Sequence, residues 1–274
     1  MLTTLLLACT LSPLSHPTPI IWQTDFLKAS MQAKNEKKDL VIHFRKDDTL
    51  DGALAAPEVT FRLKKFVCVR LPLDYVYKGQ RMLDREALAP MIKSPGICVV
   101  SRHDDHLPYH DQIISAHPLV SSEYRWVPAL GERELAIILD LPDHATLSQR
   151  SLIYAITVHP DAPKSVKGLA HPALLNHAEK HSGRQAAQQH QHHADLGQAM
   201  HWIGSQVGGI SGAAEVVAES WGGEHVLEAA FSCVDAWRHS TGHWGAIKSE
   251  HRFFGYDIIQ SASGTWYATG IFAD

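Results

Sequence analysis

Three continuous apolar runs mark the first half of the chain: LVIHF at 40–44, FVCVRLPL at 66–73 and GICVV at 96–100. Runs of this length, apolar on consecutive rather than alternate residues, fit strands covered on both faces. Helical spacing lies between them. Phe26, Leu27, Ser30, Met31 and Lys34 recur at helical intervals over residues 24–37, with Thr24 placed to cap the first turn. A second helix-like stretch follows the polar turn RKDDTLDG as far as Lys65. This order predicts an α/β layer arrangement with helices on both faces of a sheet.

Between Val120 and His144 the pattern is mixed, with Pro128, Gly131 and Pro142 around an apolar stretch at 135–139, which is an extra helix or strand of either neighbour. A domain boundary is placed near Pro142. Beyond it, Thr146 and Gln149 have capping-box spacing ahead of Leu152, Ile153 and Ile156, and Pro160 stops that helix. A helix starting near His171-Pro172 presents Leu174, Leu175, Ala178, Ser182, Gln185 and Ala186 on one narrow face. A third, about 223–239, turns Val226, Ala230, Cys233, Val234 and Trp237 inward. The period then changes: FFGYDIIQ and TWYATGIFA flank Ser261–Gly264 as a terminal hairpin. The second half therefore reads as α+β, helices packed on an antiparallel sheet.

Composition adds limits to this plan. Of 274 residues, 45% are hydrophobic and 20% charged, enough for two cores, and the net charge is -4 with no basic run longer than a Lys pair. Nucleic acid is thereby excluded as an expected partner. The stretch MLTTLLLAC is too short and too soon broken by Pro13, Pro17 and Pro19 to cross a bilayer, so it reads as an export signal and no transmembrane span is expected. Leu6-Leu7-Ala8-Cys9 also resembles a bacterial lipoprotein box, with Cys9 the residue that lipid would acylate. Cys68, Cys98 and Cys233 each lie in an apolar run, with no CxxC, and read as buried free thiols.

The order of pieces over residues 20–118, with Trp22 and a helix ahead of LVIHF and Pro95 before the late strand, resembles the thioredoxin-like fold. That family places a cis-proline at the position of Pro95. In its redox-active members two cysteines follow the strand matching LVIHF, where this chain has Arg45-Lys46-Asp47-Asp48-Thr49-Leu50. Disulfide exchange needs a thiolate there, so the resemblance implies a redox-inactive scaffold or docking module.

In the second half, Trp237-Arg238-His239-Ser240-Thr241-Gly242-His243-Trp244, then Phe254-Gly255-Tyr256 and Gly264-Thr265-Trp266-Tyr267, resemble the CAP superfamily. This is the SCP-like domain of cysteine-rich secretory, antigen 5 and pathogenesis-related proteins, an α-β-α sandwich. Ala214-Glu215-Val216 falls where that family has its GEN motif, without the Gly and Asn. The division implied is an export segment at 1–19, a thioredoxin-like domain at 20–118, a junction at 119–142 and a CAP/SCP-like domain at 143–274.

The resemblance implies a cavity lined by two histidines and two glutamates. His243 matches the GH histidine and Glu215 the GEN glutamate. His201 is the first candidate for the other histidine, with His193 as runner-up, and Ser240 stands where the second glutamate belongs. His201, Glu215 and His243 could hold zinc or another divalent metal and acidify a bound water, or make a hydrogen-bonded cluster with no metal; the second is preferred. His177 and His181, one helical turn apart, could form a metal clip, while the string around Gln188–Gln191 reads as a solvated helix face. Trp202, Trp221, Trp244 and Trp266 are candidates to line a groove for a lipid or glycan, or to serve as core.

Two functions follow. One is an exported, extracellular binding or interaction protein for an envelope ligand (lipid, glycan or divalent metal). The other is a metal-dependent hydrolase centred on His201, Glu215 and His243.

Overall fold

A computed structural model describes residues 20–193, 196–209 and 212–274. The segment at 1–19 expected to direct export, with Cys9, lies outside these residues. In the first half, α1 (Phe26–Glu36) precedes β1 (Leu40–Arg45), and α2 (Asp51–Ala55) and α3 (Pro57–Leu63) lead to β2 (Val67–Pro72). A small hairpin, β3 (Val76–Tyr77) and β4 (Gln80–Arg81), and two 3-10 turns connect to β5 (Gly96–Val100) and β6 (Ile113–Pro118). The sheet runs β2-β1-β5-β6, parallel between β1 and β2 and antiparallel elsewhere. Alternate residues divide between its faces: Leu40, Ile42 and Phe44 pack with Ala29 and Ala33 of α1, while Val41, Ile97 and Val99 pack with Leu54, Val59 and Leu63. Burial on both sides is why these strands are apolar without alternation.

Local chemistry moves two expected boundaries. The first helix is capped by Asp25, not Thr24, because the Asp25 carboxylate accepts from the Lys28 backbone N–H at 3.1 Å. The helix-like stretch to Lys65 divides at Pro57, whose ring forces Ala56 into an extended conformation (ψ 141°). The Ser94–Pro95 peptide is trans, as are all described peptide bonds.

In the second half, α4 (Glu132–Asp140) lies against α2 and α3, with Arg62 paired to Asp140. Next come α5 (Leu147–Val158), β7 (Leu169–Ala170), α6 (Pro172–Gln188), α7 (Leu196–Val207) and β8 (Ala213–Glu219). They are followed by α8 (Val226–Arg238), α9 (Thr241–Lys248), β9 (Phe253–Gln260) and β10 (Trp266–Ala273). The second sheet runs β7-β9-β10-β8, antiparallel except for the short β7–β9 pair. One face carries α6; the other packs on α5 and α8. The capping box at Thr146 and Gln149 forms with both arms.

Helix α5 sits between the two sheets. It touches β6, α8 and β9, and Gln149 to Ile156 are buried without interruption. Consequently one hydrophobic cluster contains Val41 and Ile97 from one side of residue 142 and Leu152, Phe231 and Trp237 from the other. The junction is fastened to α8 by Ser122 on Glu228 (2.9 Å), Tyr124 on Ser232 (2.9 Å) and Trp126 on Asp235 (3.2 Å).

At the α5–β9 contact, Asp257 is fully buried and accepts from the Ser148 hydroxyl at 2.6 Å. Burial, opposed by that bond, pushes its carboxyl up to about 7. In the unfolded chain it ionises near pH 4, so between about 4 and 7 rising pH favours the unfolded state. Asp257→Asn, which has nothing to ionise, is expected to gain stability relative to the parent across that interval and to hold a constant difference above it. Melting midpoints of the two proteins from pH 4 to 8 check this; a difference independent of pH would refute it.

Candidate functional site

Edge strand β8 places the first functional side chain. Val216 and Ala218 belong to the core that includes α5 and α8, so Glu215 points to the opposite face, where its register partner Ile271 packs with Leu174 and Ala178 of α6. Its carboxylate is shielded from water, with side-chain exposure of 0%. A buried carboxylate needs compensating donors. His193 supplies one: its Nδ1 lies 3.0 Å from Glu215 Oε1, which assigns the proton to Nδ1.

His181, reaching in from α6, is completely buried, and its Nε2 lies 3.9 Å from Glu215 Oε2. Two nearer partners define its tautomer: Nε2 donates to the His192 carbonyl at 2.8 Å, and Nδ1 accepts from Arg184 at 3.2 Å. Burial lowers its pKa, against the raising effect of Glu215, so this imidazole is held neutral. His243, on α9, completes the cluster, its ring centroid 5.6 Å from that of His193. Burial lowers its pKa first, the neighbouring His193 second, with Glu215 acting the other way.

The structure thus brings Glu215, His193 and His243 together, the runner-up histidine occupying the place expected for His201. His201 is exposed on α7. Its neighbour Trp202 stacks on His177, centroids 6.1 Å apart. The histidine string is not a helix face. Helix α6 stops at Gln189 in a left-handed conformation (φ 50°), and residue 192 is tied back by its N–H to Gln185 Oε1 and by its carbonyl to His181. Those ties deliver His193 to Glu215. With the residue 192 carbonyl on Nε2 and Arg184 on Nδ1, both nitrogens of His181 are engaged, so a metal clip with His177 has no free donor there.

The donors do not fit a zinc ion as they stand. Tetrahedral ligation at 2.0–2.2 Å requires donor atoms within a few ångströms of one another. Among the described residues, the one set of three whose ligand atoms all lie within 4.8 Å is Asp104, Asp105 and His106, on the first half. His193 spends its Nδ1 on Glu215, and no second carboxylate occupies the Ser240 position. The arrangement can bind and orient polar groups; it provides no step through a metal.

Ser240 and His243 instead line a cavity of about 720 Å³ with Glu219, Ser220, Trp221, Trp237, Thr265 and Tyr267. Trp237 and Tyr267 are buried behind it, whereas Trp221 is 75% exposed. Trp244 is core, hydrogen-bonded to Asp161, and Trp266 donates to the Glu224 carbonyl. Sequence reasoning missed His181 as a member of the cluster, though its placement between Ala178 and Ser182 on the inward face was the available signal.

The first half contains no redox pair among the described residues. Cys68, Cys98 and Cys233 are buried and free, and burial pushes the Cys68 thiol up to about 12 and raises the other two thiols as well. After β1, where the chain has no cysteine, Arg45 and Asp51 form a salt bridge. No family model matches this chain, and no curated protein matches it. Among the described residues no helix is long and apolar enough to cross a membrane.

Proposed function

We propose that this chain is an exported binding protein, in which a redox-inactive thioredoxin-like module is joined to a CAP/SCP-like domain that holds a small ligand in the cavity beside α9. The observation that carries this reading is the double role of His243, which faces the Glu215–His193 pair and lines the cavity. A hydrogen-bonded carboxylate–imidazole pair makes the wall rigid, and pre-organised walls favour binding by lowering the ordering cost.

Support for the thioredoxin-like module is the helix, central strand and late strand in the expected order, with Pro95 leading into β5. Support for the CAP-like domain is the placement of its motif pieces: Glu215 on β8, His243 on α9, and FG and TWY on the closing hairpin. A hydrolytic reading would need three converging donors, and the cluster lacks them.

Zinc uptake distinguishes the two. After equilibration with zinc and removal of free metal, elemental analysis of the parent and His243→Ala is expected to give the same substoichiometric content. One zinc per chain, lost in the variant, would establish a metal centre and overturn the reading of the cluster as a binding wall.

A further inference from the structure

Resting on the binding reading above, the cavity wall itself indicates the class of ligand. We propose that it is a groove for a neutral oligosaccharide, with Trp221 as the stacking platform. Trp221 follows the end of β8 and precedes Gly222 and Gly223, the latter at φ +88°, so its ring stands on a tight turn at the mouth of the cavity and is 75% exposed. Trp202, 38% exposed, has His177 stacked on one face, the ring centroids 6.1 Å apart. A flat aromatic face left in water attracts the weakly positive C–H face of a sugar ring, because the ring's π face is negative.

The rest of the wall selects against other classes. Gln189, Gln191, Glu219, Ser240 and Thr265 ring the cavity with planar amide, carboxylate and hydroxyl groups, the set that pairs with sugar hydroxyls. An alkyl chain would strip water from those groups and replace none of their hydrogen bonds. Among the described residues no Lys or Arg lines the cavity, and Glu219 contributes negative charge, so phosphate, sulfate or carboxylate ligands meet repulsion. Burial holds the wall residue His243 toward its neutral form. The volume of about 720 Å³ lies within the range of small-molecule sites and is larger than one sugar ring requires.

The test is calorimetric titration of the full chain with chitotetraose, cellotetraose and maltotetraose, alongside sodium dodecanoate and a sulfated tetrasaccharide. At least one neutral tetrasaccharide is expected to bind, the two anionic probes not. Trp221→Ala, at an exposed position where folding does not depend on the ring, is expected to weaken binding by about tenfold or more, and Trp221→Phe to recover most of it. Ser240→Trp, which fills the cavity, is expected to abolish it while circular dichroism stays unchanged. Saccharide binding indifferent to both variants would overturn the proposed site. Dodecanoate binding that Ser240→Trp removes, with no saccharide bound, would overturn the ligand class and leave the cavity a binding site. Failure of every probe would count against both the saccharide and the binding reading.

Discussion

Gly255→Ala is expected to be among the most damaging single-atom additions this protein can receive. A Cβ at Gly255 would stand 2.2 Å from the Leu174 carbonyl carbon and 2.5 Å from both the Leu174 oxygen and the Leu175 nitrogen. All three are backbone atoms in the first turn of α6, so no side chain can swing aside. Either α6 lifts from β9 or the strand bows. Overpacking of this kind costs up to about 3 kcal/mol where the neighbours cannot yield, which for a chain of this size lowers the melting midpoint by roughly 6–12 °C. Because α6 carries His181 and the turn that delivers His193, the displacement is also expected to separate His193 from Glu215. Thermal melting and the chemical shift of the His193 Nδ1 proton, which Glu215 accepts, would measure both effects. A midpoint within about 1 °C of the parent would mean that helix and strand are not in the close contact described.

Ile156→Ala is expected to weaken both sheets at once. Ile156 is fully buried in α5, the helix that touches β6 on one side and α8 and β9 on the other. Truncating a buried isoleucine costs about 2–5 kcal/mol, through lost burial and the cavity left behind. If the chain were two independent domains, only the one holding α5 would lose stability. The shared cluster predicts instead one calorimetric transition, lowered as a whole, with amides of β1 and β5 losing exchange protection together with those of β9 and β10. Two resolved transitions, or unchanged protection in β1, would contradict this coupling.

This seam qualifies the boundary read at Pro142. Pro142 does break the chain, since α4 ends at Asp140 and α5 starts at Leu147. A break in secondary structure is a local event, whereas a domain boundary is a gap between cores, and here the core continues through α5 and the side chains of residues 122–126. Nothing in the periodicity of α5 states which sheets it will touch. Its unusually complete burial was visible only as the apolar run LIYAITV.

The candidate site divides in the same way. Glu215 and His243 were legible because each sits in a short pattern of residues, and motif pieces survive reading in one dimension. The choice between His201 and His193 was not legible. Both histidines precede Glu215 in the chain, and order along the chain does not separate them. The deciding interactions were non-local: Gln185 and His181 capture residue 192 and turn the chain so that His193 meets a carboxylate twenty-two residues further on. The cavity was equally hidden, since its walls come from the α6 turn, β8, α8, α9 and β10.

The amino-acid order alone determined what depends on neighbours within one helical turn or one strand. That includes the doubly covered strands, the Thr146–Gln149 cap, the narrow face of α6, the terminal hairpin and the absence of a thiolate after β1. Tertiary structure decided what depends on elements meeting: the common core across α5, the backbone contact at Gly255, the neutral state of His181 and the identity of the imidazole beside Glu215. The physical reason is range. Propensity, capping and periodicity act through bonds and contacts a few residues apart, while burial, hydrogen-bond partners and pKa depend on which surfaces exclude water from one another once the whole chain has folded.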